Sequence, residues 1–188
     1  MLSLRKLGFT MIELLIVIAV LGILAVAVLA AINPIEQINR GRDTGSRSDA
    51  EQLLSAIDRF YASQGYYPWQ TGATDTASED LAWTSAASIA DLSAENMLAK
   101  LSSGGTAEIK TSFVERVSDP TYNSLYVYNQ GTQGDSTYVC FLPKSGSFAE
   151  EASTRCVDTD GSGLPDDIDN TTRGIICGTD TDQYICLP

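Results

Sequence analysis

The 188 residues of the chain include no histidine. This absence removes the side chain that most often acts as a general base and most often binds transition metals. Basic residues are also scarce, because 12 Lys and Arg stand against 24 Asp and Glu, giving a formal net charge of −12 at pH 7. A surface of this sign repels phosphate backbones, so we expect no general nucleic-acid binding, whereas divalent cations suit it.

Motifs of catalysis are lacking as well. The sequence contains no GxSxG motif and no cluster of metal ligands of the catalytic kind. Pairs of carboxylates are common, but in an acidic chain their abundance does not indicate glycosidase chemistry. We therefore expect a protein that is not an enzyme.

Apolar residues are concentrated in the first 32 positions, where residues 14–32 form a run of 19 without a charge. Arg5 and Lys6 precede this run, and Glu13 stands at its edge. An ordinary secretory signal has a shorter apolar stretch of about 7–15 residues. A plain membrane anchor needs about 20 residues, which fits, but it leaves unexplained a carboxylate at the edge of the hydrocarbon.

The residues from Gly8 to Leu14, Gly-Phe-Thr-Met-Ile-Glu-Leu, resemble the class III signal of type IV pilins and type II secretion pseudopilins. That family has a short basic leader, a glycine, then a mature chain that begins with phenylalanine and has glutamate as its fifth residue. The resemblance implies cleavage between Gly8 and Phe9 by a prepilin peptidase, and N-methylation of Phe9. It also implies that Glu13 directs assembly by pairing with the N-terminal amine of a subunit, since two desolvated opposite charges tolerate a filament core only together.

The resemblance also implies an organisation and a location. We expect a leader at residues 1–8, a transmembrane and filament-core helix at residues 9–33, and an extracytoplasmic pilin domain at residues 34–188. The chain would lie in the inner (cytoplasmic) membrane before assembly and then in a cell-surface, extracellular filament. Its partners would be the membrane, the prepilin peptidase, the pilus or secretion assembly machinery, and copies of itself in a helical homopolymer.

Three functions remain open at this point. The leading one is a structural subunit of a type IV pilus-like filament, which disulfides near the C-terminus favour. The second is a type II secretion pseudopilin, which a C-terminal calcium loop favours. The third is a membrane-anchored, calcium-dependent adhesin or binding module that does not polymerise, against which Glu13 and the Gly8–Phe9 junction argue.

After the apolar run, the pattern of residues 35–63 predicts a second, amphipathic half of the same helix, ending near Gly65. Its expected apolar face comprises Ala50, Leu53, Leu54, Ile57, Phe60 and Tyr61, and its expected solvent side comprises Arg40, Arg42, Arg47, Asp49 and Glu51. Gly41 and Gly45 predict a soft joint. Residues 92–101 predict a short helix with Ser93 as N-cap, within a region otherwise expected to be loop.

Strands rich in β-branched and aromatic residues are expected at residues 124–128, 137–141 and 183–187. Together these features predict an α+β pilin fold. In it a long N-terminal helix, half apolar and half amphipathic, packs on a small antiparallel sheet with a disulfide-bonded C-terminal region.

All four cysteines lie between residues 140 and 186, near the C-terminal end of the chain. An even number beyond a membrane segment indicates disulfides in an oxidising compartment. Three pairings are possible, and the similarity of the two strands that hold Cys140 and Cys186 favours joining these two. Cys156 then pairs with Cys177 and encloses an aspartate-rich loop.

That loop, residues 158–169, reads Asp-Thr-Asp-Gly-Ser-Gly-Leu-Pro-Asp-Asp-Ile-Asp. Oxygens on alternating residues of a tight loop are the ligands that calcium prefers, and the stretch resembles calcium repeats of bacterial surface proteins. The expected ligands are Asp158, Asp160, Ser162, the carbonyl of Leu164, Asp166 through water, and Asp169. Tight bidentate binding is not expected, because aspartate is shorter than the usual final glutamate. The alternative is a solvated acidic turn without metal.

Overall fold

A computed structural model describes residues 8–103, 107–119, 121–132, 134–156, 163–178 and 182–188. The chain divides into two compact units, Met1–Ile38 and Asn39–Pro188. Their described residues form an α+β structure with a long apolar N-terminal helix, an antiparallel sheet and two disulfides. The predicted fold class is confirmed.

Helix α1 spans Met11–Ala31 and buries none of its side chains. Within the described part of the chain it is the one helix that is long and apolar enough to cross a membrane, with a mean hydropathy of 3.2. A helix that is apolar on every side belongs in a membrane or in the core of a larger assembly.

The expected single long helix is interrupted after α1. Ile32 is extended (φ −99°, ψ 125°), and helix α2 then spans Pro34–Gln64. Pro34 disfavours the helical conformation at Asn33, the residue before it, so α1 cannot run on into α2, whereas proline itself fits the first position of a new helix. Asn33 supports this restart, because its side-chain oxygen accepts the Glu36 N–H at 3.4 Å. Helix α2 is continuous through Gly41 and Gly45, and the soft joint expected near them stays a prediction.

The C-terminal half of α2 provides the apolar face that the periodicity predicts. Ala50, Leu53, Ile57 and Phe60 are buried there. Tyr61, which the periodicity assigns to the same face, is exposed instead, because it lies in the last turn of the helix, beyond the core. The helix ends where expected, because Gly65 has φ +78° and its N–H donates to the Tyr61 carbonyl at 2.8 Å. This is a helix termination that favours glycine.

The sheet contains four described strands, β1 (Leu81–Ser85), β2 (Leu125–Asn129), β3 (Tyr138–Phe141) and β4 (Ile185–Leu187), in the order β1-β2-β3-β4. All neighbours are antiparallel. The last three strands match the predicted ones. Strand β1 was not expected, because its five residues lie in a region whose composition indicates loop.

Successive residues of the strands face opposite sides of the sheet. Val127, Val139 and Ile185 belong to the main core, which also contains the buried residues of α2. Tyr128 and Cys140 belong to a second core, formed with the C-terminal region. The sheet is therefore covered on both faces.

The remaining helices are short and lie in the connections. They are a 3₁₀ turn at Ala86–Ser88, α3 at Met97–Ser102, α4 at Thr111–Ser118, α5 at Gly146–Arg155 and α6 at Asn170–Ile176. Helix α3 begins later than predicted, and its N-cap is Asn96 instead of Ser93. The physical reason is a turn around Asp91, whose carboxylate accepts the N–H groups of Ser93 and Glu95, with Ala94 at φ 63°.

Candidate processing and assembly site

The predicted cleavage point lies in non-helical backbone just before α1. Gly8, Phe9 and Thr10 are exposed, and the Phe9 side chain is 75% accessible. A side chain at Gly8 would meet no atom of the described residues within 4 Å. The described part of the chain therefore leaves the Gly8–Phe9 peptide bond exposed, and cleavage there stays a prediction.

Thr10 and Glu13 form a reciprocal capping box at the start of α1. The Thr10 hydroxyl and N–H donate to Glu13 Oε2 at 2.7 and 2.9 Å, and the Glu13 N–H donates to Thr10 Oγ1 at 3.3 Å. This arrangement satisfies free backbone donors of the first helical turn, and it places a carboxylate at the positive end of the helix dipole. Thr10 directly follows Phe9 in the sequence. The capping box therefore holds the Glu13 carboxylate to the residue next to Phe9.

The cysteines form two disulfides, and the chain has no free cysteine. Cys140 joins Cys186, which is its direct partner in the register of β3 and β4, with a Cα–Cα distance of 4.0 Å. Cys156 joins Cys177 across a Cα–Cα distance of 5.4 Å. Both pairs are those that the sequence favours.

The aspartate loop is described only in part. Asp158, Asp160 and Ser162 lie outside the described residues. Leu164 is buried in the second core, and Asp166 is exposed, with its Oδ1 3.6 Å from Arg173 Nη2. Among the described residues, no group of three or more His, Cys, Asp or Glu is placed to hold a metal ion. Calcium binding stays a prediction.

Asp169 is the N-cap of α6. Its Oδ1 accepts the N–H groups of Thr171 and Thr172 at 2.8 and 3.0 Å, and its Oδ2 accepts the Thr172 hydroxyl at 2.6 Å. Desolvation by burial raises the pKa of Asp169, but the hydrogen bonds from Thr172 and its neighbours outweigh it and lower the pKa to about 2. A carboxylate with these three partners keeps little capacity for a metal, so it would bind calcium through one oxygen at most.

Asp167 is a residue that the sequence did not single out. Its carboxylate accepts the Tyr138 hydroxyl and the Ser136 N–H, which ties the end of the aspartate loop to β3 and the residues before it. Burial raises the pKa of Tyr138, and the hydrogen bond to Asp167 raises it further. The tyrosine hydroxyl therefore remains the donor over the physiological pH range.

The part of α2 at the start of the larger unit carries a strip of buried polar residues, Asp43, Ser46 and Asp49. The sequence pattern does not predict that these residues are buried. Asp43 is fully buried and accepts the Ser145 N–H and hydroxyl at 2.7 and 2.6 Å. Asp49 is 6% exposed and accepts the Arg116 guanidinium and the Tyr122 hydroxyl. The assignment of Asp49 to the solvent side is wrong, because α4 and the residues after it cover that face with polar partners.

The comparisons with known proteins bear on the N-terminal segment. Residues 4–29 match the family model of the prokaryotic N-terminal methylation motif. Comparison of the chain with curated proteins and with solved structures gives no match. The matched segment contains the predicted cleavage point, the predicted methylation site Phe9, Glu13 and most of α1.

Such a signal implies processing by a prepilin peptidase and entry into a pilus or secretion assembly pathway. The apolar helix that follows fits a membrane-anchored precursor. The chain thus carries, at residues 4–29, the prokaryotic N-terminal methylation motif, which is the class III signal peptide of type IV pilins and pseudopilins.

Proposed function

We propose that the chain is a structural, non-catalytic subunit of a type IV pilus-like filament. In this proposal it is inserted in the cytoplasmic membrane, cleaved between Gly8 and Phe9, and polymerised through α1. The observation that carries the proposal is the combination of the methylation motif with a 21-residue helix that buries no side chain in its own chain.

The exposed surface of α1 must be covered by something outside the chain. Burial of apolar surface is worth about 25 cal/mol per Å², so an apolar helix left in water is strongly disfavoured. Lipid covers such a helix before assembly. In a filament, α1 helices of neighbouring copies would replace the lipid and hold the polymer together.

Glu13 gives this polymer a specific register. A charged carboxylate among packed apolar helices is tolerated only with a partner. In the uncleaved chain its hydrogen-bond donors come from Thr10. Cleavage would create a positive amine on Phe9, and a neighbouring subunit could then offer that amine to Glu13.

The experiment is expression of the full chain with a prepilin peptidase and an assembly system. Filaments are sheared from the cells, viewed by electron microscopy and probed for the chain by immunoblot. We expect the processed chain in the sheared filaments. Processed chain that stays entirely in the membrane, while the assembly system polymerises a control pilin, would favour a non-polymerising binding module.

A type II secretion pseudopilin is the second candidate, and the aspartate-rich loop favours it. A pseudopilin and a pilus subunit share the same design and the same processing, so a biological assay must distinguish the two functions. Deletion of the gene would stop release of a secreted protein in the pseudopilin case. Loss of surface filaments with normal secretion would support the pilus.

A further inference from the structure

A cavity of about 370 Å³ opens beside the C-terminal end of α2. Its walls come from the end of α2, the loop that follows it, and the segment after β2. Three tyrosines line it, Tyr61, Tyr66 and Tyr67, together with Gln70, Asn129 and Thr132. A cavity of this size falls within the range of small-molecule sites, and neither the proposed filament function nor the methylation motif gives it a role.

The tyrosines belong to an ordered aromatic stack. The rings of Tyr61 and Tyr67 lie 4.5 Å apart at 28°, and those of Tyr67 and Trp69 lie 4.5 Å apart at 5°. Trp69 is buried at the inner end and donates its indole N–H to the Glu79 carbonyl at 3.3 Å, whereas Tyr61 is 46% exposed. The stack is therefore anchored inside the protein and open at its outer end.

The polar walls are held in place by their own hydrogen bonds. Gln70 accepts the Tyr67 N–H and donates to the Asp75 carbonyl, both at 2.6 Å. Asn129 accepts the Gly131 N–H at 2.7 Å and donates to Thr137 at 2.9 Å. These contacts make the cavity a preformed site, which lowers the entropic cost of binding a ligand.

Gly131 brings one wall close to the backbone before β1. It has φ +81°, and a Cβ at this position would lie 2.5 Å from the Asp80 backbone nitrogen. Only glycine fits here. The close approach fixes the chain next to Asn129.

Several polar groups of the lining are available to a ligand. Among the described residues, none makes a hydrogen bond to the hydroxyls of Tyr61, Tyr66, Tyr67 and Thr132, or to the Glu79 carboxylate. The side-chain amides of Gln70 and Asn129 each keep a second N–H. The cavity thus combines aromatic rings with several donors and acceptors that make no hydrogen bond to the described residues.

The charges of the residues that line the cavity limit which class of ligand can bind there. No lysine or arginine lines the cavity, and Glu79 is its one charged residue among the described lining. An anionic ligand such as a phosphate would have no positive partner there. A quaternary ammonium prefers aromatic rings that enclose it, whereas Tyr61, Tyr67 and Trp69 are stacked face to face, so the stack presents only the outer face of Tyr61 to a ligand.

We infer that this cavity binds a neutral saccharide. The C–H face of a pyranose ring would pack on the outer face of Tyr61, the exposed end of the stack, as apolar groups pack on aromatic faces. Its hydroxyls would exchange hydrogen bonds with the free groups around them, which are numerous and of both donor and acceptor type. The function gained is attachment of the chain, and of any filament that contains it, to a glycan.

The test uses the full chain in a polyoxyethylene detergent, which contains neither sugar nor choline. Isothermal titration calorimetry measures binding of maltose, cellobiose, lactose and N,N′-diacetylchitobiose. We expect at least one of the four to bind, and Tyr61→Ala to weaken that binding by about tenfold, as loss of a stacking ring should. Tyr61→Phe keeps the ring and should stay within about threefold.

Two further variants locate the site. Tyr126→Ala removes a half-buried tyrosine that stacks on Trp83 in a separate cluster, so it is the matched control and should leave binding unchanged. Thr132→Ala removes a hydroxyl that makes no hydrogen bond to the described residues, at an exposed position, and should weaken binding without affecting the fold. Circular dichroism verifies that each variant is folded.

Three results would overturn the inference. The first is that none of the four saccharides binds. The second is that Tyr61→Ala and Thr132→Ala both bind as tightly as the unchanged chain, or that Tyr126→Ala alone loses binding. The third is tighter binding of tetramethylammonium than of every saccharide, with loss of that binding in Glu79→Gln, which would make the cavity a cation site.

Discussion

Thr10 and Glu13 hold each other at the first turn of α1, with two hydrogen bonds from Thr10 to the Glu13 carboxylate and one returned by the Glu13 N–H. Thr10 directly follows Phe9, the residue that we expect to become the mature N-terminus. The carboxylate proposed to direct assembly is therefore engaged next to the predicted cleavage point while the leader is still attached. Removal of the leader would place a positive amine beside this pair.

Cleavage between Gly8 and Phe9 is the first prediction. Mass spectrometry of the mature chain should find Phe9 at its N-terminus, one methyl group heavier than the unmodified residue. Gly8→Leu should block processing, because a bulky side chain before the cut obstructs a narrow protease channel. A mature chain that begins after Ala27 would instead indicate an ordinary signal peptidase.

Assembly should depend on the charge of Glu13. Glu13→Ala should remain in the membrane and be processed, but the sheared fraction should contain sharply less of it, because the mature amine loses its partner. Immunoblots of sheared and membrane fractions measure this ratio.

Thr10→Val is the matched control for Glu13→Ala. It removes the side-chain half of the capping box but keeps the carboxylate, so filaments should still form. If Thr10→Val loses filaments as completely as Glu13→Ala, the capping box would explain the defect and not the charge. A normal filament yield from Glu13→Ala would show that assembly does not require Glu13.

The features that the sequence predicts well depend on local patterns. The apolar run gives α1, and the period of Leu53, Ile57 and Phe60 gives the buried face of α2. Alternation in β2 and β3 separates valines from tyrosines on opposite faces of the sheet. These patterns involve residues that are close together in the sequence, so the sequence alone is enough to predict them.

The polar strip on α2 could not be predicted in the same way. Periodicity assigns an aspartate to solvent unless a partner is known, and here the partners are distant in sequence. Arg116 lies 67 residues from Asp49, and Ser145 lies 102 residues from Asp43. Strand β1 was missed for a related reason, because its pairing with β2 and not its composition makes it a strand.

Asp49 and Arg116 should be energetically coupled. Asp49→Ala leaves Arg116 and Tyr122 without their acceptor, which should lower the free energy of unfolding by about 2 kcal/mol. Urea unfolding of the full chain in detergent, followed by Trp69 and Trp83 fluorescence, measures this change. Combined with Arg116→Met in a double-mutant cycle, the coupling should be roughly 1 kcal/mol.

Glu51→Ala supplies the control for the same helix. Glu51 is exposed two residues beyond Asp49, so its loss should change stability by less than about 0.5 kcal/mol. If the changes in the free energy of unfolding caused by Asp49→Ala and Arg116→Met simply add, the two side chains stabilise the fold independently and the ion pair between them contributes nothing.

The cap of α6 should make stability depend on pH at the acidic end. Because the pKa of Asp169 is lowered from 3.8 to about 2 in the folded chain, the unfolded chain binds its proton first as the pH falls. The stabilisation is complete above about pH 4 and is lost towards about pH 2. Asp169→Ala should cost about 1 kcal/mol at pH 7, and urea unfolding of this variant should lose that part of the acid dependence. Asp169→Asn keeps the acceptor and should cost less; an equal cost for both variants would argue against the cap.

Calcium should raise the melting temperature of the full chain. The Cys156–Cys177 disulfide encloses residues 158–169, so the expected ligands are held in one short loop of an acidic protein. A ligand that binds only the folded state at about tenfold its Kd stabilises it by roughly 1.4 kcal/mol, which corresponds to about 3 °C for a chain of this size. Thermal melts in calcium and in chelator, followed by circular dichroism, measure the difference.

Three variants separate the metal from the helix cap. Asp158→Ala with Asp160→Ala should abolish the calcium effect and leave the melt in chelator nearly unchanged, since both residues serve only the ion in this proposal. Asp169→Ala should lower the melting temperature in chelator as well, because it removes the N-cap of α6. Magnesium should substitute poorly, because it demands a tighter octahedral shell. Identical melting in calcium and in chelator would make residues 158–169 an acidic turn without metal, and it would leave the capping role of Asp169 intact, because that role depends on Thr171 and Thr172 alone.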